Sequence, residues 1–197
     1  MTLYTPRPFE GRERALALKL VADQPFATLI TNVDASEPLV THLPLEWRED
    51  ALWGHMARAN PHWQRFAEGR TVAIFHGPHA YVSPRWYAEP ERHVPTWNYA
   101  VVHMAVRPEL LGEAAARELL MATVVRYDPE FTTAPERLDA LLPYIVAFRM
   151  PIERIDAKFK MSQNRTPADR AGVIAALAVG DGQERAVADW MQKHDHD

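Results

Sequence analysis

Phe26-Ala27-Thr28-Leu29-Ile30-Thr31-Asn32-Val33 is the stretch on which the fold class turns. Aromatic, threonine and β-branched residues dominate it, and such residues suit a pleated, half-buried strand. Asp34-Ala35-Ser36-Glu37 reads as a turn, and Pro38 to Trp47 as the returning strand. Arg48-Glu49-Asp50 makes a second turn, after which Ala51 to Met56 gives a third strand. Strands joined by such short connections predict an antiparallel meander.

Upstream, Glu13 to Asp23 carries Leu16, Leu20 and Val21 at helical spacing, with Leu18 off the strict face, and Pro25 stops it. Downstream, Asn60-Pro61 breaks the third strand and His62 to Glu68 predicts a short helix ending at Gly69. Arg70 to His76 reads as an apolar strand covered on both faces. Gly77-Pro78 is expected to interrupt it before Ala80 to Ser83 resumes it. Glu89 to His93 is a polar loop, and Thr96 to Val106 returns to strand character. Gly112 to Tyr127 and Leu138 to Leu142 predict helices. Tyr144 to Ile155 predicts a last long strand, in which Pro151 implies an edge position or a bulge. Thr166 as N-cap and Pro167 as first residue start a helix to Ala178, and Glu184 to Lys193 is a terminal one. About six strands with segregated helices predict an α+β fold dominated by β, an antiparallel barrel with peripheral and C-terminal helices. One domain is expected over 1–197, its core at about 25–160 and a helical extension at about 166–193.

Composition narrows the function classes. Hydrophobic residues make up 47% and charged residues 24%, as in an ordinary globular chain. With no cysteine, disulfides, thiolate catalysis and thiolate-bound metals are all excluded. No apolar run approaches the roughly 20 residues that cross a bilayer, and no signal-like apolar stretch opens the chain, so a cytoplasmic protein is expected. The net charge is −4, from 22 basic and 26 acidic side chains. DNA binding through phosphates calls for a basic patch. The clusters Arg12 to Lys19 and Lys158 to Lys160 are interrupted by acidic or apolar residues, so autonomous DNA binding is not expected.

Residues 42 to 103 hold seven of the nine histidines and five of the six tryptophans. That window is either a packed aromatic core or a site for a flat cofactor. His76-Gly77-Pro78-His79 spaces two histidines as metal ligands can be, but no third ligand or orienting partner accompanies them. His194 and His196 read as a solvated tail. Ser83 and Ser162 lack a nucleophile elbow, and neither a dinucleotide fingerprint nor a P-loop is present. Three segments stand out. Gly54 to Trp63 runs from a strand into a helix start, where free backbone N–H groups and the Arg58 fork suit a phosphate, or where Arg58 is simply a surface residue on a turn. Val94 to Tyr99 sets two rings about an amide. Lys158 to Arg165 is polar and cationic, as fits a solvated or an anion-binding loop.

Taken together, six stretches in order resemble the PaiB family of negative transcriptional regulators. They are Pro25 to Leu29, Thr41 to Leu45, Gly54 to Pro61, Ile74 to Pro84, Val94 to Tyr99 and Phe159 to Arg165, continuing to Gly172. The resemblance implies an FMN-binding split β-barrel, a homodimer with flavin at the subunit interface, and a role in repression. It implies Thr41 and His42 on a strand beside the flavin, His55, Arg58 and Asn60 at the phosphate turn, and Trp97 and Asn98 near the ring system. It adds Lys160 and Gln163 to complete the site. A flavin-dependent oxidoreductase (an FMN reductase or a pyridoxamine-phosphate-oxidase-like enzyme) is the alternative, and a haem-binding or haem-degrading barrel a third reading, because one fold hosts all three.

Overall fold

The computed structural model describes residues 3–11, 13–33, 37–132 and 134–194. Residues 34–36 of the first turn, Arg12 of the first basic cluster and His196 of the histidine tail lie outside them. Helix α1 (Arg14–Asp23) precedes strands β1 (Phe26–Asn32), β2 (Leu39–Pro44), β3 (Glu46–Arg48) and β4 (Ala51–Ala57). Strands β5 (Arg70–Val82), β6 (Thr96–Val106) and β7 (Glu109–Leu110) follow. Helices α2 (Glu113–Tyr127) and α3 (Pro135–Asp139), strand β8 (Ile145–Lys160), and helices α4 (Pro167–Ala178) and α5 (Gly182–Lys193) complete the order. The strands join in the order β2-β1-β5-β6-β8-β4-β3, with β7 also paired to β8. β1 runs antiparallel to β2 and β5, and β4 antiparallel to β3 and β8. The fold is the antiparallel, helix-flanked split barrel that the sequence predicts.

The differences in detail have physical causes. The single strand expected over Pro38 to Trp47 is divided at Leu45, which is fully buried and whose N–H donates to Pro25 O at 2.8 Å. A Cβ on Gly54 would lie 2.6 Å from Leu45 Cδ2, so glycine is what lets β4 approach this corner. Glu49 and Asp50 turn the chain from β3 into β4 with φ of 48° and 56°. β5 is not interrupted at Gly77-Pro78. A Cβ at Gly77 would meet Leu20 Cδ1 at 2.7 Å and Ala100 Cβ at 2.9 Å, so the glycine serves close packing within an unbroken strand. Burial also alternates along β5, Thr71, Ala73 and Phe75 in and Val72 and Ile74 partly out, rather than covering both faces. The helix expected from His62 is a 3-10 turn, Pro61–Arg65. β8 continues to Lys160 with neighbours on both sides, which corrects the edge reading of Pro151. That proline pairs with Ala51, the first residue of β4, so its missing N–H falls where this ladder ends. β3 and β7, of three and two residues, bring the strands among the described residues to eight.

The chain gathers into two compact units. One comprises the described residues of 1–20, 76–102 and 156–197, the other residues 21–75 and 103–155. In the second, Leu29, Leu45, Leu52, Phe75, Met104, Phe148 and Met150 are fully buried. Burying one such side chain stabilises by about 1.5–3 kcal/mol. Ala116, Leu119 and Leu120 of α2 cluster with Leu142 and Ala147, and Trp53 packs against them. In the first unit, Leu20, Leu177 and Met191 are fully buried. α4 starts at Thr166, whose hydroxyl accepts from Asp169 N, and α5 at Asp181, which forms a capping box with Glu184.

Candidate functional site

β2 alternates, so Thr41 and His42 lie on opposite faces of the strand. His42 is exposed, and its Nδ1 is 3.1 Å from Thr28 Oγ1, its partner in the β1 register. Thr41 faces the turn that opens at Asn60. The Asn60 side chain caps that turn, Oδ1 accepting from His62 N at 3.0 Å, while Nδ2 donates to Thr41 Oγ1 at 3.0 Å. The His62 ring is 2% exposed and lies between two hydroxyls, Thr41 Oγ1 at 2.8 Å from Nδ1 and Thr31 Oγ1 at 2.8 Å from Nε2. Thr31 Oγ1 continues to Thr71 Oγ1 at 2.8 Å. Burial lowers the His62 pKa, which favours the neutral ring. The structure thus brings Thr41 and Asn60 together, directly and around His62, a histidine given no role from sequence. Its signal is weak: Asn-Pro-His after a strand, with threonines at inward-alternating positions of β1, β2 and β5.

His55 is half-buried on β4 opposite Ala147, and burial lowers its pKa too. Arg58 is tied into the fold in a way that its sequence context does not reveal. Its Nε donates to Pro143 O at 2.8 Å and its Nη2 to Ile145 O at 2.7 Å, while its backbone N–H donates to Tyr144 O at 2.8 Å. The Trp63 indole N–H in turn donates to Arg58 O at 3.0 Å. A guanidinium has five N–H donors, so three are left without a protein partner among the described residues. Arg58 and Trp63 line a cavity of about 290 Å³ with Leu110, Leu111, Ala116, Leu142, Ile145 and the carboxylates Glu113 and Asp139. Asp139 is paired to Arg117 at 2.5 Å.

The remaining candidates lie in the other unit. Trp97 is 53% exposed on β6, its ring 6.1 Å from Tyr81 and 6.4 Å from His79. Lys160 Nζ donates to Thr96 Oγ1 at 2.6 Å and to Trp97 O at 2.5 Å. Burial pulls this ammonium below the ordinary lysine value, and the Arg165 and Lys158 charges add to the effect. The structure therefore brings Trp97 and Lys160 together. Asn98, one residue on, points inward and is fully buried. Its amide exchanges hydrogen bonds with Ser162 Oγ at 3.0 and 3.2 Å and reaches Met191 Sδ at 3.4 Å. Gln163 folds back on its own turn, accepting from Met161 N at 2.7 Å and donating to Phe159 O. These two side chains commit their polar groups to the fold.

The segment read as a polar loop at 89–93 is pinned. Arg165 Nη1 donates to His93 Nδ1 at 2.8 Å and its guanidinium lies 4.7 Å from the Tyr87 ring centroid. The buried Asp169 carboxylate accepts from Ala88 N at 2.8 Å. That bond does most to hold its pKa below the carboxylate range, and Thr166, His93 and Arg165 assist against the opposing effect of burial. Among the described residues, no group of three or more His, Asp or Glu side chains could hold a metal ion.

The family described as "Putative FMN-binding domain" matches residues 3–154, most of the chain. "Protease synthase and sporulation protein PAI 2" of Bacillus subtilis is 33% identical over 187 residues, covering 89% of each chain. The chain belongs to the PaiB family of FMN-binding domains. FMN is the cofactor this membership carries. An uncharacterized protein of Emericella nidulans is also similar, at 26% identity over 81% of this chain and 84% of its own. Among solved structures, the FAD and heme binding protein of Mycobacterium smegmatis superposes with a TM-score of 0.62 at 18% identity, over 77% of this chain and 73% of that one. The flavocytochrome Anf3 of Azotobacter vinelandii gives 0.59 at 15% identity, over 77% and 69%. At these identities the PaiB-family chain shares the fold with them. The family match ends at residue 154, so Lys160 and Gln163 lie beyond it. No helix among the described residues is long and apolar enough to cross a membrane.

FMN needs donors for a phosphate and a surface for a planar ring, and both kinds of group are present. Arg58 retains three N–H groups beside a cavity lined by apolar side chains and by the carboxylates Glu113 and Asp139. Trp97 offers an exposed ring with the Lys160 ammonium bonded to its carbonyl.

Proposed function

We propose that this protein is an FMN-binding, PaiB-like negative regulator that works as a homodimer in the cytoplasm, with flavin at the subunit interface, and acts through sensing or partner proteins. The support is the 33% identity with PAI 2 over 89% of both chains. We take the chain as one domain, because β5, β6 and β8 each contribute residues to both units. Two sets of residues are candidates for flavin contact. Arg58, with His55 and Asn60, is the phosphate-side set; Thr41 and His42 lie on the strand beside the flavin, and Trp97 with Lys160 is the ring-side set. Asn98 and Gln163 act as supports, since their amides are already bonded within the fold.

Dimerisation has support in the outer face of the β1–β2 ladder. Phe26 and Val40 are 66% and 52% exposed there and pair in register with Pro44 and Ile30. Exposed apolar residues on a strand face invite cover by a second copy. Purified protein is expected to be yellow, to release FMN by mass spectrometry, and to scatter light as a dimer. A colourless protein that binds no added FMN would refute the flavin reading, and a 22.5 kDa species at micromolar concentration would refute the dimer. Steady turnover of NADH or NADPH by the yellow protein would replace the regulator with an oxidoreductase.

A further inference from the structure

The polar chain from Asn60 to Thr71 can be filled with either neutral tautomer of His62. A hydroxyl offers one donor and two acceptor positions, and a neutral imidazole one of each. Thr41 Oγ1 already accepts from Asn60 Nδ2. In one arrangement Thr41 gives its hydroxyl proton to His62 Nδ1, Nε2–H donates to Thr31, and Thr31 donates on to Thr71. Thr41 is then left with one open acceptor position. In the other the bonds from Thr41 to Thr71 reverse while Asn60 still donates to Thr41: Thr71 donates to Thr31, Thr31 to Nε2, and Nδ1–H to Thr41. Both acceptor positions of Thr41 are then taken, and its own proton is free to donate. Neither arrangement strands a buried ring nitrogen, so neither incurs the cost of roughly 1–3 kcal/mol that an unmatched buried group carries. Two near-equivalent states are what the three threonines make available. Lysine or carboxylate neighbours would bias the ring to one state, but all its hydrogen-bond partners are neutral hydroxyls.

We propose that His62 is a positioning residue whose tautomer sets whether Thr41 meets its ligand as a hydrogen-bond acceptor or as a donor. The proposal rests on the reading that Thr41, which stays partly exposed, contacts FMN. Oxidised FMN presents ring nitrogens that accept; uptake of two electrons and two protons turns two of them into N–H donors. A hydroxyl locked in one sense would match only one oxidation state at such a position. A hydroxyl that reverses with His62 matches both, and does so without moving a charge or a strand. His62 itself reaches Thr41 from the buried side and is not a catalytic group.

The test uses the full chain labelled with 15N-histidine. The His62 ring nitrogens are assigned by loss of their signals in His62→Gln and, independently, through the Phe66 ring, whose centroid is 5.4 Å away. Spectra are compared with oxidised FMN and with chemically reduced FMN, and Thr41→Val is titrated with both forms. Thr41→Val is expected to weaken FMN about five-fold, the worth of one ordinary hydrogen bond, and the His62 proton is expected to change nitrogen on reduction. If His62 keeps one tautomer through reduction while Thr41→Val still weakens FMN, the switching role is overturned and the Thr41 contact stands. If Thr41→Val binds both forms as tightly as the native protein, the contact fails and the proposal fails with it.

Discussion

Arg58→Ala separates a phosphate ligand from a structural tie, because the guanidinium can be both. Its two bonds to Pro143 O and Ile145 O are solvent-accessible, so their loss is expected to lower stability by about 1–2 kcal/mol in all. If the remaining N–H groups hold the FMN phosphate, a charge-assisted contribution of roughly 1.5–3 kcal/mol is lost as well, a ten- to hundred-fold fall in affinity. Trp97→Ala, which removes one ring contact, is expected to cost less, about 0.5–1.5 kcal/mol beyond area. Riboflavin has the ring and lacks the phosphate, so Arg58→Ala should leave its affinity nearly unchanged. Arg58→Lys adds a further check: a lysine keeps the charge and recovers part of the FMN affinity, yet cannot reproduce the fork that spans two carbonyls. Fluorescence titration of both flavins, with urea unfolding of each variant, gives every quantity required. Equal losses for FMN and riboflavin in Arg58→Ala would show that the arginine only ties down residues 143–145, and would move the phosphate elsewhere.

Stability should fall on acidification from neutral pH, because burial lowers the His62 and His55 values below the ordinary 6.5. The unfolded chain then takes up protons that the folded chain refuses, so the loss starts near pH 6.5 and grows down to the folded values. Asp169, whose folded value is depressed, adds a further loss at lower pH as its carboxylate is protonated. Urea midpoints that stay flat from pH 8 to pH 5 would contradict the histidine assignment. Gly172→Ala should destabilise by about 1–3 kcal/mol, since the added Cβ would sit 2.2 Å from the Trp86 carbonyl oxygen; an unchanged melting temperature would mean that α4 can shift freely there. The purified protein should not retard DNA at nanomolar concentration, given its charge of −4. A salt-sensitive gel shift in that range would show direct DNA binding, with Arg165, Arg170 and Arg185 the first cations to replace.

Strand identity was legible because alternation is a local property. Thr96 to Val106 matches β6 residue for residue, and Thr166-Pro167 marks the start of α4 through capping chemistry that needs no tertiary information. Gly77-Pro78 misled for the converse reason. The demand for glycine comes from Leu20 and Ala100, distant in sequence, and the chain itself has no break there.

The site residues divide along the same line. A sequence shows which side chains can donate, and not where their donors are already committed. Arg58, Asn98 and Gln163 are all competent ligands by type, yet the fold engages two N–H groups of the first and the amides of the other two. His62 shows the reverse case. Its partners Thr41 and Thr31, and Thr71 behind Thr31, sit on three strands, and only the register that pairs Thr31 with Thr71 and Leu29 with Thr41 links their hydroxyls through one ring. The four groups are uncharged, so no charge pattern in the sequence points to them. A neutral network of this kind suits a ligand whose donors and acceptors change while its contact surface does not. A flavin at Thr41 would be such a ligand, and a fixed metal or a phosphate would not. That contrast ties the fate of the His62 reading to oxidation state rather than to affinity alone.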